Sequence, residues 1–579
     1  MLAAAESAFI LFAKYVILRQ RPCPPAQLLD HFPVPNKYNR FFCLSKRLCK
    51  GLEDAMTIPR PIRRSLYGLW LTGIAVLFIL HAMHLRADFP NNSPWMDYSK
   101  YTDEGWYGKA AIEHYVLGSW YVHGDFNPSV ALPILPALEL ALFHFTGVSL
   151  VAARLLVLVI FALNLVLAYA VLRMRAPRVT ALFAVTLLVT NAFLYAFSRL
   201  AILEQPLTLF LLASWLLALL LPRMSARSRN VAHIAIGLLL CLTILTKTTA
   251  IFLVLSTLVL IWHAYGYKFR PSIGPLAAVV LSGLIPFTAY YLLFVRPRYA
   301  YDYHYLFAAN VWNQPEGLRG YLAAFWFALH GTLWIDPWLC LLAVALLVVS
   351  AFFARRLWRD PLVVASLLAC AGYIFFIGWH NNMQPRYYQV LAYPVVFVIA
   401  MAIEALVSTA RNGSEGFRTS ALARSLAWAA VGVATMVSAA NLREILYWTR
   451  HPDYTWMTAA RRLTSYVDHH PNGNRLLLSV SGDNITLITH LPAICDDFGT
   501  WDLAMRIHNY RPGWYAAWNE LDPGTLEDLR TQYTLERVAT FQAFDDPDRD
   551  RLILYKLHPL PRARQHYNQA IEERANAGK

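Results

Sequence analysis

The sequence predicts a polytopic α-helical membrane protein with about eleven transmembrane helices and a small C-terminal α/β domain. Three observations predict this class. Of the 579 residues, 57% are hydrophobic and only 15% are charged, whereas a soluble domain carries roughly a quarter charged residues. The apolar residues come in long runs rather than at amphipathic spacing. Basic residues gather in the short loops between these runs, which explains much of the net charge of +15 without a nucleic-acid partner.

The transmembrane spans follow from the apolar runs and from the basic loops. Cytoplasmic loops carry an excess of Arg and Lys, so we place the six short basic loops there: 60–64, 173–178, 222–230, 266–271, 355–360 and 409–424. Because a span needs ~20 residues, the apolar run 231–264 is too long for one and is broken at Lys247. The predicted spans lie near 66–85, 148–172, 179–197, 203–221, 231–246, 248–264, 274–295, 336–354, 361–379, 388–408 and 425–442.

This topology divides the chain into three parts. Residues 1–55 are an extension of uncertain status, either an upstream segment or a peripheral apolar helix, because Met56 begins a natural basic lead into the first span. Residues 56–447 form the transmembrane domain, and residues 448–579 form a soluble α/β domain. The odd number of spans places this soluble domain on the outer side of the cytoplasmic membrane.

The first outside loop, residues 86–147, is expected to lie on the membrane surface. From Asp103 to Trp120 the sequence predicts a helix with aromatic and apolar residues along one side and with Lys109 and Glu113 on another. That pattern is typical of an in-plane, interfacial helix. A second, shorter apolar helix follows Pro136.

Four polar positions lie near the predicted outer membrane boundary, where a membrane fold does not need them. They are the acid pair Asp103 and Glu104, the segment SRLAILEQP with Arg199 and Glu204, Lys247, and the segment NNMQPRYYQVLAYP with Arg386 and Tyr387. Each also has a structural explanation. The acid pair could cap a helix, and Arg199 could snorkel or pair with Glu204. Lys247 could lie at a turn between spans, and Arg386 could be an interfacial anchor. Together they fit these explanations less well, because basic residues are disfavoured on the outer side.

The four positions together carry the groups that glycosyl transfer from a lipid-linked donor requires. Two carboxylates supply a general base, or a base together with an orienting group or metal ligand. Separate Arg and Lys side chains at headgroup depth suit a lipid phosphate, whose charge grows as it leaves. Aromatic side chains offer flat surfaces and hydroxyls to a sugar ring, and the candidates are Trp106, Tyr107, Tyr303 and Tyr387.

Five segments of the chain also occur in an order that is typical of a known superfamily. They are TDEGWYGKAAIEHYVLGSW in the first outside loop, FTGVSLVAARL after it, SRLAILEQPLTLF, LTILTKTTA, and QPRYYQVLAYP late in the membrane domain. In these segments the chain resembles the GT-C superfamily of membrane glycosyltransferases, within the branch of the protein O-mannosyltransferases and the lipid A aminoarabinose transferases. The resemblance covers roughly residues 60–450 and implies a GT-C-like transmembrane domain.

The resemblance also implies roles for individual residues. Asp103 corresponds to the catalytic carboxylate of the family and Glu104 to its partner. Lys247 and Arg386 match basic positions that are associated with the carrier phosphate, and Glu204 occupies the second acidic position, near the acceptor or the sugar. Aminoarabinose transferases usually have an arginine soon after the acidic pair, where this chain has Gly and Trp, so a different sugar or acceptor is expected.

We therefore predict an inverting glycosyltransferase that moves a sugar from a polyprenyl-phosphate-linked donor to a protein, glycan or lipid acceptor of the cell envelope. Arg199, Arg296 and Arg298 are further candidates for binding the donor phosphate. A divalent metal ion is left open as a cofactor, since the sequence has no ligand spacing such as HExxH. One alternative is a transporter or flippase of lipid-linked sugars, which should show repeat symmetry and polar residues at the bilayer midplane. Another is a non-catalytic scaffold built around the outer domain.

Overall fold

The computed structural model describes residues 60–561, except 92, 96, 98, 99, 310–314, 413–416, 520 and 545–548. The predicted extension 1–55 lies outside the described residues.

A large helical domain is followed by a small domain that contains a β-sheet, as the sequence predicts. The helices of the first domain are α1 (Arg60–Ala82), α2 (Asp103–Val116), α3 (Ile134–Thr146), α4 (Leu150–Arg173), α5 (Arg178–Val189), α6 (Ala192–Phe197), α7 (Glu204–Leu220), α8 (Ala226–Thr246), α9 (Val254–Ala264), α10 (Phe269–Tyr290), α11 (Ala300–Ala309), α12 (Gly317–His330), α13 (Pro337–Phe353), α14 (Pro361–His380), α15 (Gln389–Asn412) and α16 (Phe417–Arg450).

Among the described residues, eight helices are long and apolar enough to cross a membrane. A ninth span results if α12 and α13, which are bent by 110° relative to each other, cross together. The predicted spans 179–197 and 248–264 contain the shorter apolar helices α5 and α9. The polytopic helical class is confirmed, whereas the number of eleven spans stays a prediction.

Polar residues at the helix starts fix where the apolar helices begin. Ser149 accepts a hydrogen bond from the Ala152 amide at the start of α4, and Asp336 does the same for Leu339 in α13. Such caps satisfy amide groups that have no partner within the helix. The predicted break at Lys247 is confirmed: α8 ends at Thr246, Lys247 is extended (φ −153°, ψ 117°), and a 3₁₀ turn leads into α9.

The C-terminal domain packs four helices against a five-stranded sheet of order β2-β1-β3-β5-β4. Strand β1 runs parallel to β2 and β3, whereas β5 is antiparallel to β3 and β4. Its core contains Trp456, Leu463, Trp514 and Leu554, all buried. The elements are α17 (Thr455–His469), β1 (Leu477–Leu478), α18 (Gly482–Thr489), β2 (Ala493–Ile494), α19 (Leu503–Tyr510), β3 (Trp514–Trp518), α20 (Pro523–Arg530), β4 (Tyr533–Gln542) and β5 (Arg551–Pro559).

Helix α2 is the element that brings the two domains together at the candidate site. It begins at Asp103, as predicted, but ends at Val116 rather than Trp120, before Gly118 adopts a left-handed conformation (φ 76°). Most of its length is buried, between α3 on one side and α18 of the C-terminal domain on the other. The predicted polar face with Lys109 and Glu113 is therefore covered by protein.

Candidate active site

The acid pair at the start of α2 is almost completely buried, with both carboxylates 1% exposed. Successive helix residues point in different directions, so Asp103 and Glu104 meet different partners. The Thr102 hydroxyl donates to Asp103 Oδ1 at 3.0 Å but makes no capping hydrogen bond to the helix. A helix cap formed by the threonine therefore does not account for this acid pair.

Asp103 lies against Arg386 of the 3₁₀ turn that precedes α15. Arg386 Nε is 2.8 Å from Asp103 Oδ2, and Arg386 is 6% exposed. The arginine is oriented by Asp97, whose carboxylate accepts from the Arg386 amide at 2.9 Å and from its Nη1 at 2.5 Å. Asp97 thus holds both the backbone and the side chain of the arginine that faces Asp103.

Lys247 approaches the same cluster from the break between α8 and α9. Its ammonium is 2.5 Å from Oε1 of Glu204, the first residue of α7, and both side chains are buried. The same ammonium lies 3.8 Å from the centre of the Tyr387 ring, and the Arg386 guanidinium lies 5.0 Å from that ring. One tyrosine ring therefore contacts both cations, at distances typical of cation–π interactions.

We call Asp97, Asp103, Glu204, Lys247, Arg386 and Tyr387 the membrane-edge cluster. Several of its polar atoms have no hydrogen-bond partner among the described residues: Asp103 Oδ2, Glu204 Oε2 and Arg386 Nε. Asp103 Oδ2 and Arg386 Nε are close enough for an ion pair, but their N–H direction does not meet the oxygen as a hydrogen bond requires. Buried polar groups are normally satisfied, so these atoms lack the hydrogen bonds that buried groups usually make, although Asp103 and Arg386 compensate each other in charge.

The surroundings of Asp103 also change its acidity. Burial raises the pKa of the Asp103 carboxyl, Arg386 lowers it, and the neighbouring Asp97 raises it further. The net direction is upward, because desolvation disfavours the charged form. Burial likewise raises the pKa of Tyr107, on which the charge of Asp103 acts in the same direction. A carboxylate with a raised pKa is a stronger base for a hydroxyl proton.

Glu104 is paired outside the membrane-edge cluster. Arg154 of α4 donates to both of its oxygens, at 2.7 and 2.6 Å, and the Ala201 amide donates to Oε1 at 2.9 Å. Arg154 also donates to the carbonyls of Leu85 and Ala87. The sequence assigns Glu104 as the partner of Asp103 in catalysis, whereas the structure shows a carboxylate that fastens α2 to α4 and to the segment before α7.

The structure places Arg199 outside the cluster as well. Its guanidinium donates to the carbonyls of Met83 and His84 at 2.7 Å each, and to the Tyr195 hydroxyl. It therefore ties the end of α1 to the segment after α6. A buried cation that is used in this way has little capacity left for a donor phosphate.

Four further candidates lie elsewhere. Trp106 packs against Phe126 and Phe498, with ring centres 5.4 and 5.2 Å apart, and Tyr303 packs against aromatic neighbours around α11. Arg296 and Arg298 are exposed on a helical turn after α10. The structure brings none of these four into the membrane-edge cluster.

Sequence reasoning missed Asp97 and Arg154. Asp97 occurs in the first outside loop, six residues before the acid pair, where an acid among aromatic residues is itself a signal. Arg154 lies inside the apolar run of α4, and an arginine within a span usually has a buried partner. Among the described residues, no group of three or more His, Cys, Asp and Glu side chains could hold a metal ion.

Residues 131–291 match the model of the dolichyl-phosphate-mannose-protein mannosyltransferase family. That segment includes Glu204 and Lys247, but not Asp103 or Arg386. No curated protein sequence matches the chain significantly.

Two crystal structures of ArnT share the fold over most of the chain. The crystal structure of ArnT from Cupriavidus metallidurans bound to undecaprenyl phosphate matches with a TM-score of 0.57 at 14% identity, covering 85% of this chain and 98% of that one. Its apo form gives 0.55 at 15% identity, with the same coverage. An Archaeoglobus fulgidus oligosaccharyltransferase gives 0.48 at 11% identity, over 86% of this chain and 75% of that one. The chain therefore has the fold of the ArnT structures, and this likeness, with the match to a mannosyltransferase family model, agrees with the predicted resemblance.

Proposed function

We propose that this protein is an inverting membrane glycosyltransferase that takes its sugar from a polyprenyl-phosphate-linked donor. The observation that carries the proposal is the membrane-edge cluster: a buried carboxylate, Asp103, lies 2.8 Å from Arg386 and close to a ring that also contacts Lys247. Its unused hydrogen-bonding atoms include both acceptors and a donor. In this proposal Asp103 is the base, and Lys247 and Arg386, which lie beside it, bind the phosphate.

In the proposed reaction, Asp103 takes the proton from an acceptor hydroxyl. The oxygen forms a bond to the anomeric carbon of the sugar while the bond from that carbon to the phosphate oxygen breaks. Attack from the side opposite the leaving group inverts the anomeric configuration. The electron pair of the broken bond stays with the lipid phosphate, where Lys247 and Arg386 stabilise the growing negative charge.

Each cation keeps hydrogen-bonding capacity for a phosphate. A lysine ammonium has three N–H groups, and Lys247 gives one hydrogen bond to Glu204 and faces the Tyr387 ring. Arg386 uses Nη1 for Asp97 and Gln384, whereas its Nε makes no hydrogen bond within the described part of the chain. Tyr387 belongs to this cluster and Tyr107 interacts electrostatically with Asp103 and Arg386, so both are candidates for contacts with the sugar or the acceptor.

Two comparisons support a lipid-phosphate donor. The description of the matched family names dolichyl-phosphate-mannose, and the ArnT crystal structure contains undecaprenyl phosphate. The proposed sugar is a hexose or a pentose, and the proposed acceptor is a protein, a glycan or a lipid. It places the reaction at the outer face of the cytoplasmic membrane, with the C-terminal domain on that side.

The test is a transfer assay with membranes that contain the full chain. Labelled polyprenyl-phosphate sugars, including undecaprenyl-phosphate mannose, are supplied with envelope extract as the acceptor source. We expect transfer with wild type and a loss of about 10²–10⁴-fold in Asp103→Asn, as for a positioned base, with unchanged insertion and thermal unfolding. Wild-type turnover in that variant would reject Asp103 as the base. Movement of labelled lipid across the membrane without transfer would favour the flippase.

A further inference from the structure

A second group of buried charges lies around the middle of α2, away from the membrane-edge cluster at its start. Lys109, only 1% exposed, has its ammonium 2.6 Å from Asp125, 3.5 Å from Asp483 and 3.5 Å from Glu113. A fully buried ammonium is tolerated only where carboxylates compensate its lost hydration. Asp483 belongs to α18 of the C-terminal domain, so this contact joins the two domains.

The same contact extends further into the C-terminal domain through Asp125. Its carboxylate accepts from the Cys495 amide at 3.2 and 3.3 Å and lies 3.4 Å from Arg506 Nη1. Arg506 in turn donates to the carbonyls of Phe498 and Trp501. Lys109 therefore contacts α18 directly. Through the loop that carries Asp125 it is also linked to the segment around α19.

A second contact between α2 and the C-terminal domain lies one helical turn nearer to Asp103, and it is made by closely packed backbone atoms. Gly105 lies directly against the start of α18, where a Cβ atom would be 2.3 Å from the Asn484 nitrogen and from the Asp483 carbonyl carbon. Only glycine allows the two helices to approach so closely. Gly105 and Lys109 are four residues apart and share one face of α2, so the C-terminal domain contacts the helix along two successive turns.

We propose that Lys109 and Asp483 are positioning residues: by clamping α2 to the C-terminal domain, they fix where the Asp103 carboxylate stands relative to Arg386. This inference rests on the proposed function, in which Asp103 is the base. Lys109 lies six residues beyond Asp103, about 9 Å along the helix axis. A tilt of α2 at the clamp therefore displaces the carboxylate, and a misplacement of about 1 Å can cost about 10²-fold in rate.

The main test variant is Asp483→Asn in the full chain. It keeps the shape of the side chain, and Lys109 retains Asp125 as its charge partner, so the fold should be maintained. We expect kcat to fall at least about 10-fold, whereas KM for undecaprenyl-phosphate mannose stays within about 2-fold, because Lys247 and Arg386 lie on other elements. The acid limb of the rate profile should also move to higher pH, since Asp103 then loses part of the pKa-lowering effect of Arg386.

A second variant and a control separate positioning from general destabilisation. Gly105→Ala forces α2 and α18 apart without changing a charge and should show the same loss of kcat. Asp468→Asn removes an exposed ion pair with Arg475 in the same domain, 2.7 Å long, and should leave both kinetic constants unchanged. Equal losses in all three variants, or unchanged kcat in both Asp483→Asn and Gly105→Ala, would overturn the clamp.

Hydrogen exchange gives a readout that does not depend on activity. The amides of residues 105–113 should exchange faster in Asp483→Asn than in wild type or Asp468→Asn. Unchanged exchange along α2 would overturn the clamp whatever the kinetics. If wild type transfers no sugar from any donor, the proposed function fails, and the exchange measurement still decides whether the C-terminal domain holds α2.

Discussion

Asp103 and Glu104 are adjacent acids with the same burial, yet their surroundings differ. Glu104 has its oxygens occupied by three hydrogen bonds, two from Arg154 and one from the Ala201 amide. Asp103 has one hydrogen bond, from Thr102, and an oxygen that faces Arg386 without accepting a hydrogen bond. The two acids are equally buried, and they differ in the number of hydrogen bonds that their oxygens accept.

The same distinction applies to the buried cations. Arg154 and Arg199 donate to backbone carbonyls, which fixes them between elements of the fold. Arg154 also binds the Glu104 carboxylate and Arg199 contacts the Tyr195 ring. The side chains of Lys247 and Arg386 contact carboxylates and the Tyr387 ring, and no hydrogen bond to a backbone carbonyl is seen for them among the described residues. A guanidinium that donates to carbonyls holds the backbone in place, whereas under the proposed function Lys247 and Arg386 are the cations that bind the donor phosphate.

The largest expected effect on stability comes from Glu104→Gln. Removing one charge of a buried pair leaves Arg154 uncompensated, and such a loss costs about 3–5 kcal/mol. We expect a clear fall in the thermal unfolding temperature in detergent. Asp468→Asn is the control, because its ion pair is nearly half exposed and such pairs contribute at most about 1 kcal/mol. If Asp103→Asn destabilised the protein as much as Glu104→Gln, the distinction between the two acids would be lost.

A smaller effect, on donor binding, is expected for Lys247→Met. Hydrogen bonds to charged groups contribute about 1.5–3 kcal/mol, so binding of undecaprenyl phosphate should weaken by roughly 10- to 100-fold. Because the single variant leaves Glu204 buried without its cation, the double variant Glu204→Gln/Lys247→Met is the matched control. We expect the double variant to recover thermal stability but not lipid binding, measured by native mass spectrometry. Recovery of binding in the double variant would assign Lys247 a structural role.

The pH dependence of the reaction tests the surroundings of Asp103. Burial raises its pKa, against the effect of Arg386, and the base acts only when deprotonated. The rate should therefore fall as the pH is lowered through this raised pKa, so that the acid limb of kcat/KM lies above the ordinary aspartate value of about 4. The residual rate of Asp103→Asn should lack this limb. A wild-type rate that stays constant down to about pH 4 would contradict the assignment.

Much of this arrangement could be predicted from the sequence, because it depends on local signals. The helix break at Lys247 followed from an apolar run too long for one span, and the start of α2 followed from the acid pair. The C-terminal strands β4 and β5 followed from short runs rich in β-branched and aromatic residues. Convergence of Asp103, Lys247 and Arg386 followed from the common membrane boundary that the topology gave them.

The remaining features depend on partners that are distant in sequence. Lys109 and Glu113 have the spacing of a solvated helix face, and only the packing of α18, more than 350 residues later, buries them. Which of two adjacent acids faces the cluster depends on Arg154 of α4 and on Ala201, whose positions no local pattern gives. Arg296 and Arg298 have the positive charge and the predicted outer position that a phosphate-binding residue needs, but the turn that carries them lies outside the cluster.

The smallest effect is expected for these two arginines. Both are exposed on the turn after α10, and exposed substitutions usually change free energies by less than about 0.5 kcal/mol, or roughly 2-fold in a kinetic constant. The double variant Arg296→Gln/Arg298→Gln should thus keep kcat and KM for undecaprenyl-phosphate mannose close to wild type. A rise in KM comparable to the loss of lipid binding expected for Lys247→Met would show that donor binding extends from the membrane-edge cluster to this turn. Burial beside a carboxylate would then not be required of a phosphate-binding cation in this fold.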